Sequence, residues 1–211
     1  MNGFRIGVGL AVVLLNGLAT AADRLPDGFR PIVNGTDAEQ FVRVGMGPKT
    51  VSIEDGEVRV TGKPDGYFAT RDSYKNYVLR FEWMYDRPAD LKSDASFRGN
   101  SGLLIHIAGP HKVWPVCIES QLMNADAGSL FGVAGAKFQG SKDAAAQKAA
   151  VRPVGEWNLQ VVTCKDGEIV CTINGVEVSR GVGASPDHGA IGWQSEGAPI
   201  RFRHLAIKPL D

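Results

Sequence analysis

The segment GNSGLLIHIAGPHKVWPVCIESQL, Gly99 to Leu122, concentrates the side chains of this chain that could do chemistry. In a strand, residues two apart share a face. Cys117, Glu119, Gln121 and Met123 therefore point one way, and Ile118, Ser120 and Leu122 the other. A carboxylate beside an amide on one sheet face can hold sugar hydroxyls, and the carboxylate can move a proton. The paired carboxylates of direct glycoside hydrolysis are not evident on this strand. His106 follows an apolar run and, by alternation, shares a face with Gly102 and Leu104, and with Asn100 if the strand starts early. It is either a proton carrier or a core histidine. His111 and Trp114 lie in the joining loop GPHKVWP, where exposure suits substrate contact. The Trp can stack on a sugar ring or anchor the core.

Other candidates lie further along the chain. Arg80 and Glu82 project from NYVLRFEWMYD onto a mixed face. They either flank the same concave surface as Glu119 or form an ion pair of small value. Gln194 and Glu196, in GWQSEGAP, stand at a strand end as rim contacts or turn formers. Trp157, in GEWN, reads as core. No phosphate loop, dinucleotide fingerprint or His-Glu-x-x-His motif occurs. No cofactor is implied, although two His near Glu119 leave a divalent metal open.

These residues must be positioned by strands. Short runs rich in Val, Ile, Phe and Tyr alternate with turn signals: EDGE, KPDG, KDGE, INGV and EGAP. The expected strands are Val51–Ile53, Glu57–Thr61, Tyr67–Thr70, Tyr77–Tyr85, Gly102–Ile107, Val116–Met123, Trp157–Cys164, Glu168–Val178, Ala190–Gln194 and Ile200–Ile207. The one helical stretch is the Ala-rich Ser141–Val151. An all-β jelly-roll sandwich of two antiparallel sheets follows, as one domain over residues 22–211.

Residues 1–21 read as a secretory signal peptide, with Arg5, an apolar run from Ile6 to Leu15 and Ala19-Thr20-Ala21 as cleavage site. A secreted or periplasmic protein with no membrane span is expected. Lys+Arg and Asp+Glu both number 23, which makes the chain a poor candidate for phosphate-backbone binding, so no nucleic-acid partner is expected. Export permits disulfides, but Cys117, Cys164 and Cys171 read better as small buried apolar residues. With Asp166-Gly167 as the turn, Cys164 and Cys171 stand diagonally; with Gly167-Glu168 they face each other.

Seven segments in order resemble a known family: VNG, GYFATRDSYKNYVLRFEW, GNSGLLIHI, VWPVCIESQL, PVGEWN, INGVEV and GAIGWQSEGAPIRFRHLAIKPL. They look like the 3-keto-disaccharide hydrolases, whose fold is a concanavalin/laminarinase-like jelly roll, and the likeness runs from Asp27 to Leu210. The chain departs from the family at Val33, where Phe is usual, at His106, where Arg is usual, and at His204, where Asn is usual.

The resemblance implies an exported enzyme acting on a small carbohydrate, a 3-keto-glycoside. A C3 ketone acidifies the C2 proton; its removal expels the group at C1, and water then adds. Such a route needs one base, one proton donor and an enolate stabiliser rather than a carboxylate pair. Glu119 or His106 would be the base and His111 the donor, with Gln121 and Asn100 holding hydroxyls or the enolate. Two other readings are a non-catalytic carbohydrate-binding module and a domain docking on a cell-envelope partner.

Overall fold

The computed structural model describes residues 25–211, so the signal-peptide reading of residues 1–21 lies outside the described residues. The fold is the expected sandwich of two antiparallel sheets. Its strands are β1 (Arg30–Pro31), β2 (Val42–Val44), β3 (Val51–Glu54), β4 (Glu57–Val60), β5 (Gly66–Ala69), β6 (Tyr77–Tyr85), β7 (Gly102–Ala108) and β8 (Val116–Gln121). After them come β9 (Leu130–Val133), β10 (Lys137–Lys142), β11 (Asn158–Lys165), β12 (Glu168–Ile173), β13 (Val176–Ser185), β14 (Ala190–Ser195) and β15 (Ile200–Pro209). One sheet has nine strands in the order β10-β13-β12-β11-β6-β15-β4-β3, with β1 against β15. The other has six, in the order β2-β5-β14-β7-β8-β9.

Period-2 patterning builds the interior. In β6, Tyr77, Leu79, Phe81, Trp83 and Tyr85 are buried, while Val78, Arg80, Glu82 and Met84 face outward. They meet Phe68, Leu103, Ile105, Ile118, Ile191 and Trp193 of the six-stranded sheet. Phe68 stacks on Trp193 at 5.3 Å between ring centres, and Phe81 meets Trp193 edge-on at 6.1 Å. Some of the polar groups admitted to this interior are paired: Trp83 Nε1 donates to Gln160 Oε1 at 3.0 Å, and Gln160 Nε2 donates to Ser120 Oγ at 2.9 Å.

Three of the turn signals close two-residue hairpins, Asp55-Gly56, Asp166-Gly167 and Asn174-Gly175, each with positive φ at both positions. That is the turn whose twist suits paired strands. The Asn174-Gly175 turn divides the expected strand Glu168–Val178 into β12 and β13. KPDG and EGAP instead carry the chain between sheets, from β4 to β5 and from β14 to β15. With Asp166-Gly167 as the turn, Cys164 pairs with Ile169 and Cys171 with Val162, and all three cysteines are free and buried. The helix, α1, is shorter than expected at Ala144–Ala150, because the Asp143 side chain accepts from Ala145 and Ala146 N–H and fixes its start. Trp157 is only half-buried; its ring lies 4.1 Å beneath the Arg203 guanidinium rather than in the core.

Candidate active site

The outer face of the six-stranded sheet is the unusual surface of this molecule. A solvent-facing sheet side is ordinarily polar. Here Tyr67, Ala69, Leu104, Ile107, Cys117 and Ala190 form a second buried apolar cluster, separate from the inter-sheet core. The loop joining β7 to β8 lies against this face: His111 Nδ1 is 2.9 Å from the Tyr67 hydroxyl, and Val113 packs on Gly45 beyond β2.

Glu119 projects from β8 into this face, as strand alternation requires, and is 5 % exposed. Its neighbour across β7 is Leu104, but its carboxyl leans along the sheet to lie over Gly102. Gln194 leans over Gly102 from β14 on the other side. A Cβ at residue 102 would collide with Gln194 Oε1 and come 2.5 Å from Glu119 Oε1. Gly102 is therefore the floor that lets a carboxyl and an amide converge across the width of a strand. Neither Gln194 Oε1 nor Nε2 has a hydrogen-bond partner among the described residues, although Gln194 is 1 % exposed.

Glu196, two residues beyond Gln194, approaches Asn100, and Asn100 Oδ1 is buried without a hydrogen-bond partner. Burial and then the nearby Glu196 carboxylate push the Glu119 carboxyl up to about 8. Burial raises Glu196 as well. No cation stands against Glu119: it has no ion pair or hydrogen bond among the described residues. A carboxyl so placed is mostly protonated at neutral pH and is a strong base once ionised. Tyr67 sits directly opposite Gln194 on β5, and burial pushes its hydroxyl up to about 12. His111, Tyr67, Gln194, Glu119, Asn100 and Glu196 thus share one face.

Other expected site residues lie elsewhere. His106 does not join Glu119. One extra residue between Ile105 and Ala108 makes a bulge against β8, with His106 at φ 57°. The bulge returns Ile107 to the outer cluster and turns His106 inward, edge-on to Tyr77 at 5.7 Å between the rings. His106 is 2 % exposed, and burial holds its imidazole below the usual value. The strand-alternation expectation for His106 is corrected, and with it the idea that His106 supplies the base.

Arg80 and Glu82 are on the outer face of the other sheet, so they do not flank Glu119. Glu82 accepts from Arg203 Nε at 2.9 Å, faces His204 Nδ1 at 3.0 Å and stands 3.7 Å from Arg80. Gln121 is on the expected face, but its Oε1 accepts from Leu122 and Met123 N–H and ends the strand. Trp114 is 44 % exposed on the β7–β8 loop rather than core. Sequence reasoning passed over Tyr67 and Gly102. The alternation of GYFAT held the signal for Tyr67, and a glycine at the head of an apolar strand the signal for Gly102.

A hollow of about 540 Å³ lies away from this face, between α1 and the loops carrying Asp94 and Asp126. Two of its charged groups are paired, Asp94 with Arg87 and Asp126 with Lys142. Among the described residues no three of His, Cys, Asp and Glu come together as metal ligands, and no helix is long and apolar enough to cross a membrane.

The family model of the 3-keto-alpha-glucoside-1,2-lyase-like domain matches residues 28–208. The chain belongs to that family. None of the curated proteins matches this lyase-like domain in sequence. Among solved structures it is similar to a Parabacteroides distasonis protein provisionally named a glycosyl hydrolase, with TM-score 0.65 and 22 % identity over 87 % of this chain and 94 % of that one. It is also similar to a Bacillus subtilis protein of unknown function with a galectin-like fold, at TM-score 0.59 and 11 % identity over 85 % of this chain and 94 % of that one. The Bacillus subtilis carbohydrate binding module CBM66 has TM-score 0.55 and 10 % identity, covering 80 % and 95 %. At these identities the likeness is one of fold.

Proposed function

We propose that this lyase-like domain cleaves 3-keto-glycosides by elimination, with Glu119 as the base. The observation that carries the reading is the Glu119 carboxyl: buried, without a cation, raised to about 8 and converging with Gln194 over a glycine floor. A ketone at C3 makes the C2–H bond acidic. The Glu119 carboxylate takes that proton, and the electron pair moves to the C3 oxygen as an enolate. The Gln194 amide N–H and the Tyr67 hydroxyl are the donors for that oxygen. Re-formation of the ketone breaks the C1–O bond, and the protonated Glu119 returns its proton to the departing oxygen, while His111, 2.9 Å from the Tyr67 hydroxyl, orients that hydroxyl donor. Water then adds across C1=C2, giving net hydrolysis. Asn100 and Glu196, on the same face, hold ring hydroxyls.

Enolisation needs one base rather than a nucleophile and acid pair, which suits a single carboxyl whose ionised form is a strong base. The test is turnover of a 3-keto-glucoside by Glu119→Gln. A loss of about 10²-fold or more is expected for removal of a general base. Wild-type-like turnover would sink the assignment.

A non-catalytic sugar-binding role is the second reading, favoured by the fold shared with a carbohydrate binding module. It predicts equal affinity for oxidised and unoxidised glycosides and no product. The leader-like residues 1–21 support a site of action outside the cytoplasm, secreted or periplasmic.

A further inference from the structure

Phe131 is one of four large hydrophobic side chains among the described residues that stand exposed, at 38 %. It lies on β9, the last strand of the six-stranded sheet, directly across from Glu119. Directly opposed residues of an antiparallel pair project from the same face, with Cβ atoms roughly 5 Å apart. The next pair confirms the face: Cys117 opposes Val133, and both belong to the outer apolar cluster. Leu130 turns the other way, into the inter-sheet core. A buried carboxyl therefore has an open aromatic ring beside it, on the side away from Gln194. Gln194 and the Tyr67–His111 pair occupy the opposite side. An exposed ring is costly to leave in water and offers a flat apolar surface to a ligand.

We infer that Phe131 seats the leaving group, so that the domain prefers 3-keto-glycosides whose C1 substituent carries a ring, over those with a small alkyl substituent. The inference rests on the reading that Glu119 abstracts the C2 proton. The carbon that bears the leaving group is bonded to C2. With C2–H at the carboxyl and the C3 oxygen toward Gln194, C1 and its substituent extend over β9. A six-membered ring attached there, phenyl or pyranosyl, can lie flat on Phe131; a methyl group reaches little of it. Selectivity then comes from β9, whereas the proton transfer comes from β8 and β14.

The experiment compares phenyl and methyl 3-keto-glucosides, matched in anomeric configuration, by calorimetric titration of Glu119→Gln and of Glu119→Gln combined with Phe131→Ala. The exposed position of residue 131 makes the substitution mild for folding. The expected result is phenyl bound about five- to tenfold tighter than methyl, the gain of one stacked aromatic contact, with the gap closed by Phe131→Ala and restored by Phe131→Trp. Equal affinity for the two glycosides, a gap that survives Phe131→Ala, or no binding of either would overturn it. Turnover separates this from the base assignment. If Glu119→Gln is inactive and no gap exists, only the Phe131 seat fails. If Glu119→Gln stays active while the gap closes with Phe131→Ala, only the role of Glu119 fails.

Discussion

The two outer faces of the sandwich each carry a glutamate on an interior strand of its sheet, and the two are treated oppositely. Glu82, on the nine-stranded sheet, is 14 % exposed and is met by Arg203, His204 and Arg80. Partial burial is the largest single influence on it and pushes upward, but hydrogen bonds from His204 and Arg203 outweigh it and hold the carboxyl below its usual range. Glu119, on the six-stranded sheet, meets a glycine floor, an unpartnered amide and another carboxylate, and rises to about 8. A charge surrounded by cations contributes to the fold; a carboxyl denied them costs stability and is available for proton transfer.

This contrast can be broken by exchanging stability for activity. The largest effect is expected from Glu119→Gln. Because the folded carboxyl titrates near 8 and the unfolded one near 4.5, the native state holds a proton that the unfolded state has lost. Wild-type stability should therefore fall as pH rises from about 4.5 to 8, and Glu119→Gln should remove that loss. Above pH 8 the variant should be more stable by roughly 2–4 kcal/mol, read from denaturant midpoints, while its activity is lost. A variant less stable than wild type at pH 9 would mean that Glu119 has a compensating partner.

Gly102→Ala should come next. The new methyl displaces both Glu119 and Gln194, so kcat/KM is expected to drop by about 10²-fold, the cost of misplacing reacting groups by an ångström. Near-normal activity in a folded variant would show that the convergence over Gly102 is incidental.

Glu82→Gln should do the reverse of Glu119→Gln. Removing the charge that meets Arg203 and His204 should cost about 1–2 kcal/mol at pH 7 and leave turnover within about twofold. The stability that Glu82 supplies is present above its unfolded value and is lost as pH falls through its depressed folded value, so wild type and variant should converge in acid. The smallest effect is expected from Glu196→Gln, which removes the like charge facing Glu119. The alkaline rise of kcat/KM should move to lower pH, with its direction read from the profile.

The sandwich was legible because its strands alternate cleanly, as in β6, and because Asp-Gly and Asn-Gly mark hairpins whose geometry needs those residues. Short or polar strands were not: β1, β2, β9 and β10 have two to six residues and mostly lack buried faces, so pairing rather than pattern defines them. Phe131 was hidden for that reason. On β8, alternation placed Glu119 correctly, since no bulge interrupts Cys117–Gln121. On β7 it failed at His106, where one extra residue reverses the face and no local residue type announces it. Arg80 and Glu82 were sorted to the right face of their own strand but to the wrong side of the molecule. Strand order is a property of the whole sheet, and one strand does not contain it.

The most direct test of Glu119 as the base is the pH profile of kcat/KM on a 3-keto-glucoside, which reports the ionisations of the free enzyme. An ascending limb with an apparent pKa of about 8, abolished together with turnover in Glu119→Gln, is the expected result. A limb in the ordinary carboxylate range, or one that persists unchanged in Glu119→Gln, would contradict it.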